Sequence, residues 1–252
     1  MPRVLIWDLP IRLFHLVFAG GIATAAILAL VLDDESAAFP HHAMIGLTVA
    51  VALALRVLWG FAGSRHARFA SFAFGPAAVL GYMRATLGGK SPRFAGHNPG
   101  AAHAAFAMYA LTVLLTVSGI TLALGNGDAK DAHEVFAYAM LAVIAAHLAG
   151  LALHTVMHRE FIAASMVTGR KDAEPSDAIA SAHPFAALAF LGVVVAFAIA
   201  LWSSYDAGSR TARIPLVGTT LAIGEADGEN EPDGERDAER RHDGRRHGDD
   251  DD

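Results

Sequence analysis

Cysteine is absent from this 252-residue chain. Its absence excludes disulfide bonds, thiolate zinc sites, iron–sulfur clusters and haem attached covalently through a Cys-x-x-Cys-His motif. Any metal cofactor must therefore be bound by other side chains. Histidine is the obvious donor, since the chain has 13 histidines and neutral imidazole is a common metal ligand.

Charged residues are also scarce. They make up 17% of the chain, whereas soluble domains carry about 25%. Apolar residues make up 54% and gather in long blocks instead of alternating or helical-period patterns. The net charge of -6 comes mostly from residues 225–252, whose polar composition predicts a disordered tail. This composition is typical of an integral membrane protein.

Five apolar blocks are long enough to cross a bilayer, whose hydrocarbon core of about 30 Å needs about 20 helical residues. They are too long and too continuously apolar for barrel strands, so an all-α membrane fold is expected. We expect a membrane core over residues 1–171, a linker and fifth helix over 172–204, and a polar tail over 205–252. The predicted spans are 11–32, 42–61, 101–124, 133–157 and 184–202.

Basic residues fall on one side of these spans, and short loops rich in Lys and Arg stay in the cytoplasm. The other loops are acidic or mixed, so the N-terminus is expected in the cytoplasm and the tail outside. Residues 72–87, in the loop after span two, predict a helix lying on the membrane surface. The basic residues on this side are Arg3, Arg12, Arg65, Arg68, Arg84, Lys90, Arg93, Arg159, Arg170 and Lys171.

Histidines inside the predicted spans are the main functional signal. Ionisable groups at lipid depth are costly, so they usually face a bundle interior and serve a site. An imidazole can bind iron, zinc or a proton, which leaves a metal-ion or proton transporter as an alternative to a redox protein. These histidines are His15, His41, His42, His103, His133, His147, His154 and His158.

The spacing of His133 and His147 predicts two stacked metal centres. Fourteen residues leave them within about 40° of the same helix face and about 21 Å apart along the axis. Facing ligands at comparable depth are His42 towards the outer end and His15 towards the inner end. His154 shares the face of His147 and matches the depth of His15 more closely, so spacing alone does not choose between the two.

Gly46 lies one helical turn after His42, where the lack of a side chain would let a flat porphyrin approach the backbone. The alternative is that this glycine, like Gly20, Gly119 and Gly150, only allows close helix packing.

The run from Trp7 to His15, Trp-Asp-Leu-Pro-Ile-Arg-Leu-Phe-His, resembles the opening of bacterial cytochrome b561 and of the b-type cytochrome subunits of nickel–iron hydrogenases. The similarity extends over residues 4–171. A fifth span and an acidic tail depart from the family's compact core. The further matching segments are His42 to Gly46, Arg56 to Phe61, His97 to Gly100, His133-Glu134, His147, and Met166 to Arg170.

The resemblance implies a four-helix bundle that binds two b haems without covalent attachment. Carried over by position, the axial ligands are His15, His42, His133 and His147, with His41 as the alternative to His42 and His154 to His147. Iron with two imidazole ligands has no open position, which suits electron transfer.

By the same resemblance, electrons pass in a respiratory chain between membrane quinone and a partner such as a hydrogenase, a dehydrogenase or a cytochrome c. The chain is then an electron carrier or the cytochrome b subunit of an oxidoreductase in the bacterial inner membrane, and no nucleic-acid partner is expected. Arg12 and Arg56 could pair with haem propionates. Alternatively, they extend their charged ends to the membrane surface.

Overall fold

The computed structural model describes residues 2–33, 35–90 and 92–224. Each predicted span coincides with a long helix whose ends shift by about one turn or less. By length and composition, all five of these helices could cross a membrane. They are α1 (Leu9–Val31), α2 (Pro40–Ala62), α4 (Pro99–Ala123), α5 (Ala129–His158) and α7 (Pro184–Ser203); the two shorter helices are α3 (Pro76–Leu87) and α6 (Ser165–Thr168).

Proline stands in the first turn of five helices, which are α1, α2, α3, α4 and α7, and side-chain caps add to the start of α1 and α4. Pro at the first turn stabilises a start because its missing N–H would have no partner there. The side chain of Asp8 caps α1 by accepting from the backbone N–H of Ile11 at 2.9 Å, and Asn98 caps α4 by accepting from Ala101 at 2.8 Å. The helix starts are therefore encoded locally. Continuous apolar sequence then extends each helix, because lipid offers no partner for a free backbone group.

The long helices pack as two antiparallel pairs, α1 with α2 and α4 with α5, and α7 packs against α1 and α2. A core cluster that includes Phe14, Val49 and Phe190 joins α1, α2 and α7. At Gly21 a Cβ would lie 2.4 Å from the side chain of Val49, so α1 and α2 approach most closely there. The pairs contact each other mainly through α2 and α4, which leaves space between α1 and α5.

Two short antiparallel sheets, which the sequence did not predict, accompany the mostly helical fold. β1 (Arg3–Leu5) pairs with β2 (Arg170–Asp172), which joins the start of the chain to the segment after α5. β3 (Thr211–Arg213) pairs with β4 (Thr220–Ala222). The end of the molecule at which α1 begins is called here the β1–β2 end, and the opposite end the hairpin end. Three-residue strands are too short to produce a clear periodic signal.

The hairpin formed by β3 and β4 lies in the segment that the sequence assigned to a polar tail. Ala212 and Leu221 face inward from the paired strands and pack with Met44 and Leu201, at the ends of α2 and α7. Because strand side chains alternate, one apolar residue per strand is enough to cover this end of the helices. The tail predicted to be disordered from about residue 225 lies outside the described residues.

Asp8 forms a buried joint near the β1–β2 end. Its carboxylate has no exposed surface, caps α1, and accepts a hydrogen bond from Trp59 Nε1 at 3.0 Å. The neighbouring Trp7 donates from Nε1 to Ser165 Oγ at 3.2 Å, and its backbone N–H donates to the carbonyl of Gly169 at 3.0 Å. These hydrogen bonds join the start of the membrane core, at Trp7-Asp8, to its end, at Thr168-Gly169-Arg170.

Asp8→Ala should lower the free energy of unfolding by about 2–4 kcal/mol, because it removes a helix cap and leaves the buried Trp59 N–H without an acceptor. The apparent melting temperature of the detergent-purified protein measures the effect. Asp33→Ala, at an exposed carboxylate, is the matched control. Equal melting temperatures for the two variants would contradict this role.

Candidate functional site

His42 of α2 and His133 of α5 face each other near the hairpin end. Their ring centroids are 6.1 Å apart and their planes make an angle of 74°. Because metal–imidazole bonds are about 2 Å long, two rings that face one ion from opposite sides have centres roughly 6 Å apart. The two helices therefore hold these imidazoles at a separation suited to axial ligands of a single metal ion.

Hydrogen bonds at Nδ1 orient both rings. His42 Nδ1 lies 2.8 Å from the carbonyl oxygen of Ala25, which can only accept, so Nδ1 donates. Ser118 Oγ donates to the carbonyl of Leu114 at 2.8 Å and can accept from His133 Nδ1 at 2.9 Å. In each ring Nε2 is then unprotonated and keeps its lone pair. A hydrogen bond at Nδ1 that leaves Nε2 available is typical of histidines that bind a metal.

His41 points in a different direction. Its Nδ1 is 3.0 Å from the carbonyl oxygen of Ala38, and its ring lies 6.3 Å from both Trp202 and Tyr205 at the end of α7. Adjacent helical residues differ by about 100°, so only one of His41 and His42 can face α5. The structure brings His42 to His133 and His41 to the fifth helix.

Gly46 borders open space. A Cβ built there meets no atom within 4 Å, and the same holds for Gly20 and Gly150. This differs from Gly21, where the Val49 side chain blocks a Cβ. Close helix packing therefore explains Gly21 but not Gly46. At Gly119 a Cβ would lie 3.4 Å from His133 Cε1, so this glycine accommodates the histidine ring.

A cavity of about 1030 Å³ separates α1 from α4 and α5, and α3 covers part of it. This volume lies at the upper end of the range for ligand pockets, about 300–1000 Å³. His15 and His147 line the cavity from α1 and α5 and are close enough to interact electrostatically. His15 Nδ1 is buried without a hydrogen-bond partner. The remaining lining is mostly apolar, so the cavity suits a large, largely apolar ligand held by a few polar groups.

His154 also lines this cavity, nearer the end of α5. Its ring centroid is 4.3 Å from that of His158, and its charged neighbours are Lys171 and Arg93. Its Nδ1 is buried without a partner. The structure thus places His15, His147 and His154 on the lining of one cavity, and of the two histidines of α5 it is His147 whose positive charge would act on His15.

Arg56 is the charged residue buried most deeply against the cavity, with 2% of its surface exposed. Its Nη2 donates to the carbonyl of Ala67 at 3.0 Å, and Nη1 is buried without a partner. Four aromatic rings surround the guanidinium at 4.9–6.0 Å and partly compensate its desolvation by cation–π contact. These rings belong to Phe14, Phe69, Phe72 and Tyr109.

Arg12 has a different environment. Its Nη2 donates to the carbonyl of Val167, and its Nε is buried without a partner. Arg12 is not among the residues that line the large cavity, whereas Arg56 is. Its hydrogen bond instead ties α1 to the segment after α5, beside the joint that contains Trp7.

His97 and Lys171 line the cavity, although the sequence predicted no role in the site for either residue. His97 stacks on Phe72 at 4.3 Å and meets the edge of Trp7 at 4.8 Å. Burial, reinforced by the positive charge of Arg56, lowers the pKa of His97 to about 3, so its ring is neutral at physiological pH. The His-Asn-Pro segment was visible in the sequence, but only the fold shows that it closes one end of this cavity.

The fold also explains why Lys171 is a cavity residue. Its Nζ donates to the carbonyl groups of Phe94, Ala95 and Gly96 at 2.7, 2.9 and 3.4 Å. Burial lowers the pKa of Lys171 to about 8. From sequence it was one of the basic residues at a membrane boundary. Its position in β2 directs it inward instead.

Among the residues that the structure describes, no three His, Asp or Glu side chains converge on a common point. Zinc sites normally use four ligands, or three and a water. Histidines that meet in pairs beside open space, in helices long and apolar enough to span a bilayer, define a different class of protein. This class is the multi-pass membrane proteins that carry histidines beside a cavity large enough for a cofactor.

The family model described as prokaryotic cytochrome b561 matches residues 6–169, and the chain belongs to this family. Comparison with curated proteins and with solved structures gives no match. Members of the family bind haem b, and the protein is a membrane b-type cytochrome of electron transfer. The matched segment ends before α7 and the C-terminal hairpin.

Proposed function

We propose that α1, α2, α4 and α5 form a bundle that binds two b haems, each between two histidines. His42 and His133 hold the haem nearer the hairpin end, and His15 and His147 hold the other. The observation that carries this proposal is the pair of facing imidazoles 6.1 Å apart, each with Nδ1 engaged and Nε2 available. The large cavity between His15 and His147 supports the second pair.

Several residues would shape the two sites. Gly46 leaves room for a porphyrin face next to His42, since a Cβ there would meet open space. Arg56 has a free buried Nη1 at the cavity wall, where it can donate to a haem propionate. Arg12 also has a buried Nε without a partner, but it does not line the cavity, so Arg56 is the better candidate for the propionate. The hydrogen bond from Arg12 to Val167 gives Arg12 a structural role.

Haem iron, when bound, supplies reversible one-electron chemistry. The paired histidines would hold the iron from both sides and leave no position for a substrate, which would favour electron transfer. The hydrogen bonds from His42 to Ala25 and from His133 to Ser118 fix the tautomers and raise the basicity of the ligands. His133 and His147 share one face of α5 and place the two centres in line across the membrane.

We propose that electrons pass between the quinone pool and a partner redox protein, such as a hydrogenase, a dehydrogenase or a cytochrome c, in a respiratory chain. Among the segments that flank α1, α2, α4 and α5, the basic residues are concentrated before α1, between α2 and α4, and after α5. By the positive-inside rule these segments and the N-terminus lie in the cytoplasm. The protein then resides in the bacterial inner membrane with its hairpin end outside.

The transporter alternative is not favoured. Transport sites usually add carboxylates or a broken helix near the midplane. Of the described residues that line the large cavity, none is Asp or Glu, whereas Arg56 and Lys171 bring positive charge. Such a lining suits an anionic ligand group better than a metal cation or a proton.

The absorption spectrum of the full-length protein in detergent tests the proposal. Dithionite should produce the sharp alpha band of six-coordinate low-spin haem b, and the pyridine haemochrome should give about two haems per chain. A soluble quinol analogue should reduce the same haems. A colourless protein after expression with ample haem, or a five-coordinate spectrum, would overturn the assignment.

A further inference from the structure

A second pocket, of about 410 Å³, lies at the β1–β2 end where α5 stops. Four arginines line it from four parts of the chain. Arg3 belongs to β1, Arg93 to the loop before α4, Arg159 to the residue after α5, and Arg170 to β2. The pocket adjoins the large cavity, with which it shares Ile162 and Ser165, and is lined by none of the four proposed haem ligands.

The short β1–β2 sheet explains how two of these arginines reach the pocket. Arg3 pairs with Asp172, and Leu5 pairs with Arg170. Because side chains alternate along a strand, Arg170 and Asp172 share one face of the sheet while Lys171 points to the other. Lys171 accordingly lines the large cavity, and Arg3 and Arg170 line the arginine pocket.

Arg159 reaches the pocket through a backbone turn. It adopts a left-handed conformation with φ of 53° directly after α5. A non-glycine residue in this region is uncommon and carries a conformational cost of about 1–3 kcal/mol. The turn ends the helix and leaves the exposed Arg159 at the rim of the pocket.

The arginines are not neutralised by the protein. Glu160 and Asp172 also line the pocket, but Arg65 with Asp177 is the one ion pair within 4.0 Å among the described residues. The pocket lining therefore carries four guanidinium groups, whose like charges repel, and two carboxylates that form no ion pair with them within 4.0 Å. A bound anion would relieve this repulsion.

His158 adds a donor without a partner. Its Nδ1 accepts a hydrogen bond from Arg93 Nε at 3.4 Å, so a neutral ring carries its proton on Nε2. That Nε2 is buried and has no hydrogen-bond partner. His158 lines the pocket with Arg93, which makes a ligand with oxygen acceptors a suitable occupant.

Apolar side chains flank the arginines at the same level. Phe161 lines the pocket and is 71% exposed, and Val156, in the last turn of α5, is 76% exposed. A membrane-spanning helix that ends at His158 places this surface at the boundary between hydrocarbon and water. The site therefore combines a basic pocket with an adjoining surface for hydrocarbon.

We propose that the arginine pocket binds the phosphate group of an anionic phospholipid, with the acyl chains lying along Phe161 and Val156. Guanidinium groups bind phosphate oxygens in bidentate geometry, and basic pockets between helices on the cytoplasmic side of membrane proteins hold anionic headgroups. The lipid would fix the end of α5 and the β1–β2 sheet to the membrane. Free phosphate offers the same oxygen acceptors without the acyl chains.

Binding of tail-labelled phosphatidylglycerol to the full-length, haem-loaded protein in neutral detergent tests this proposal. We expect one saturable site, weakened about tenfold or more in the double variant Arg3→Gln/Arg170→Gln, because each charge-assisted contact to phosphate is strong. The double variant Arg68→Gln/Arg84→Gln is the matched control, since it removes two exposed arginines of the same charged side that lie outside the pocket. The control should bind within about twofold of the unmodified protein.

A single variant and a titration with inorganic phosphate distinguish lipid binding from misfolding and from binding of free phosphate. Arg159→Gln alters only an exposed side chain and should weaken binding about tenfold even if the Arg3/Arg170 variant loses its haem spectrum and folds poorly. Inorganic phosphate is titrated in parallel and as a competitor. Phosphate binding as tight as that of the lipid would overturn the lipid as the source. Absence of a saturable site, or equal weakening in the Arg68/Arg84 control, would overturn the pocket itself.

Discussion

His42→Ala should lower the haem content from about two to about one per chain, because a b haem held without covalent bonds depends on both axial ligands. The lost haem is the one nearer the hairpin end. Of the proposed ligands, His42 and His133 form the pair whose rings adjoin in the structure, with ring centres 6.1 Å apart. The pyridine haemochrome gives the count, and His133→Ala should give the same result.

His41→Ala is the control for this experiment. The two histidines are adjacent in sequence, but His41 faces Trp202 and Tyr205 at the end of α7. Its removal should leave the haem count and the alpha band unchanged. If His41→Ala removed a haem while His42→Ala did not, the proposed ligand would be wrong even though the membrane cytochrome remained.

His147→Ala should remove the other haem, and His15→Ala should have the same effect, because each supplies one axial position in the large cavity. The remaining haem should keep the six-coordinate spectrum of the His42 and His133 site. Redox titration should then show a single component in place of two. Transfer of electrons from a quinol analogue across to the far haem should fall to background.

The matched variant here is His154→Ala. His154 lines the same cavity seven residues further along α5, but its ring centroid lies 4.3 Å from that of His158, and it is His147 whose positive charge would act on His15. We expect two haems and an unchanged alpha band. If His154→Ala lost a haem and His147→Ala kept both, the ligand would be His154, about two turns further along α5.

The two haem sites are proposed to differ in their surroundings. The His42 and His133 pair has both Nδ1 atoms hydrogen-bonded, to a backbone carbonyl and to a serine hydroxyl. His15 Nδ1 has no partner, and its cavity is lined by Arg56 and Lys171. Hydrogen bonding of ligands and nearby charge both tune haem potential, so the two centres are expected to titrate at different potentials.

The amino-acid sequence by itself determined the membrane class, the five long helices and the presence of histidines at lipid depth. These features are local. A run of about 20 apolar residues must be helical in lipid, whatever it packs against, because its backbone has no other hydrogen-bond partners. For the same reason the predicted spans agree with α1, α2, α4, α5 and α7 to about one turn.

Tertiary structure decided which residues of each helix face which neighbouring helix. Sequence spacing could not choose between His41 and His42, whereas the packing of α7 and α5 turns one towards Trp202 and the other towards His133. It could not distinguish the packed Gly21 from Gly46 beside open space. Such differences arise from contacts between segments far apart in the chain, and no local pattern records them.

The same reason explains the elements that the sequence did not predict. β1 pairs with a strand more than 160 residues away, and Lys171 becomes a cavity residue only because that pairing directs it inward. The hairpin is stable because Met44 and Leu201 offer Leu221 an apolar surface. In each case a strand of three residues has too little intrinsic preference for the extended conformation to form alone. Burial of its apolar side chains against the assembled helices supplies the free energy that stabilises it.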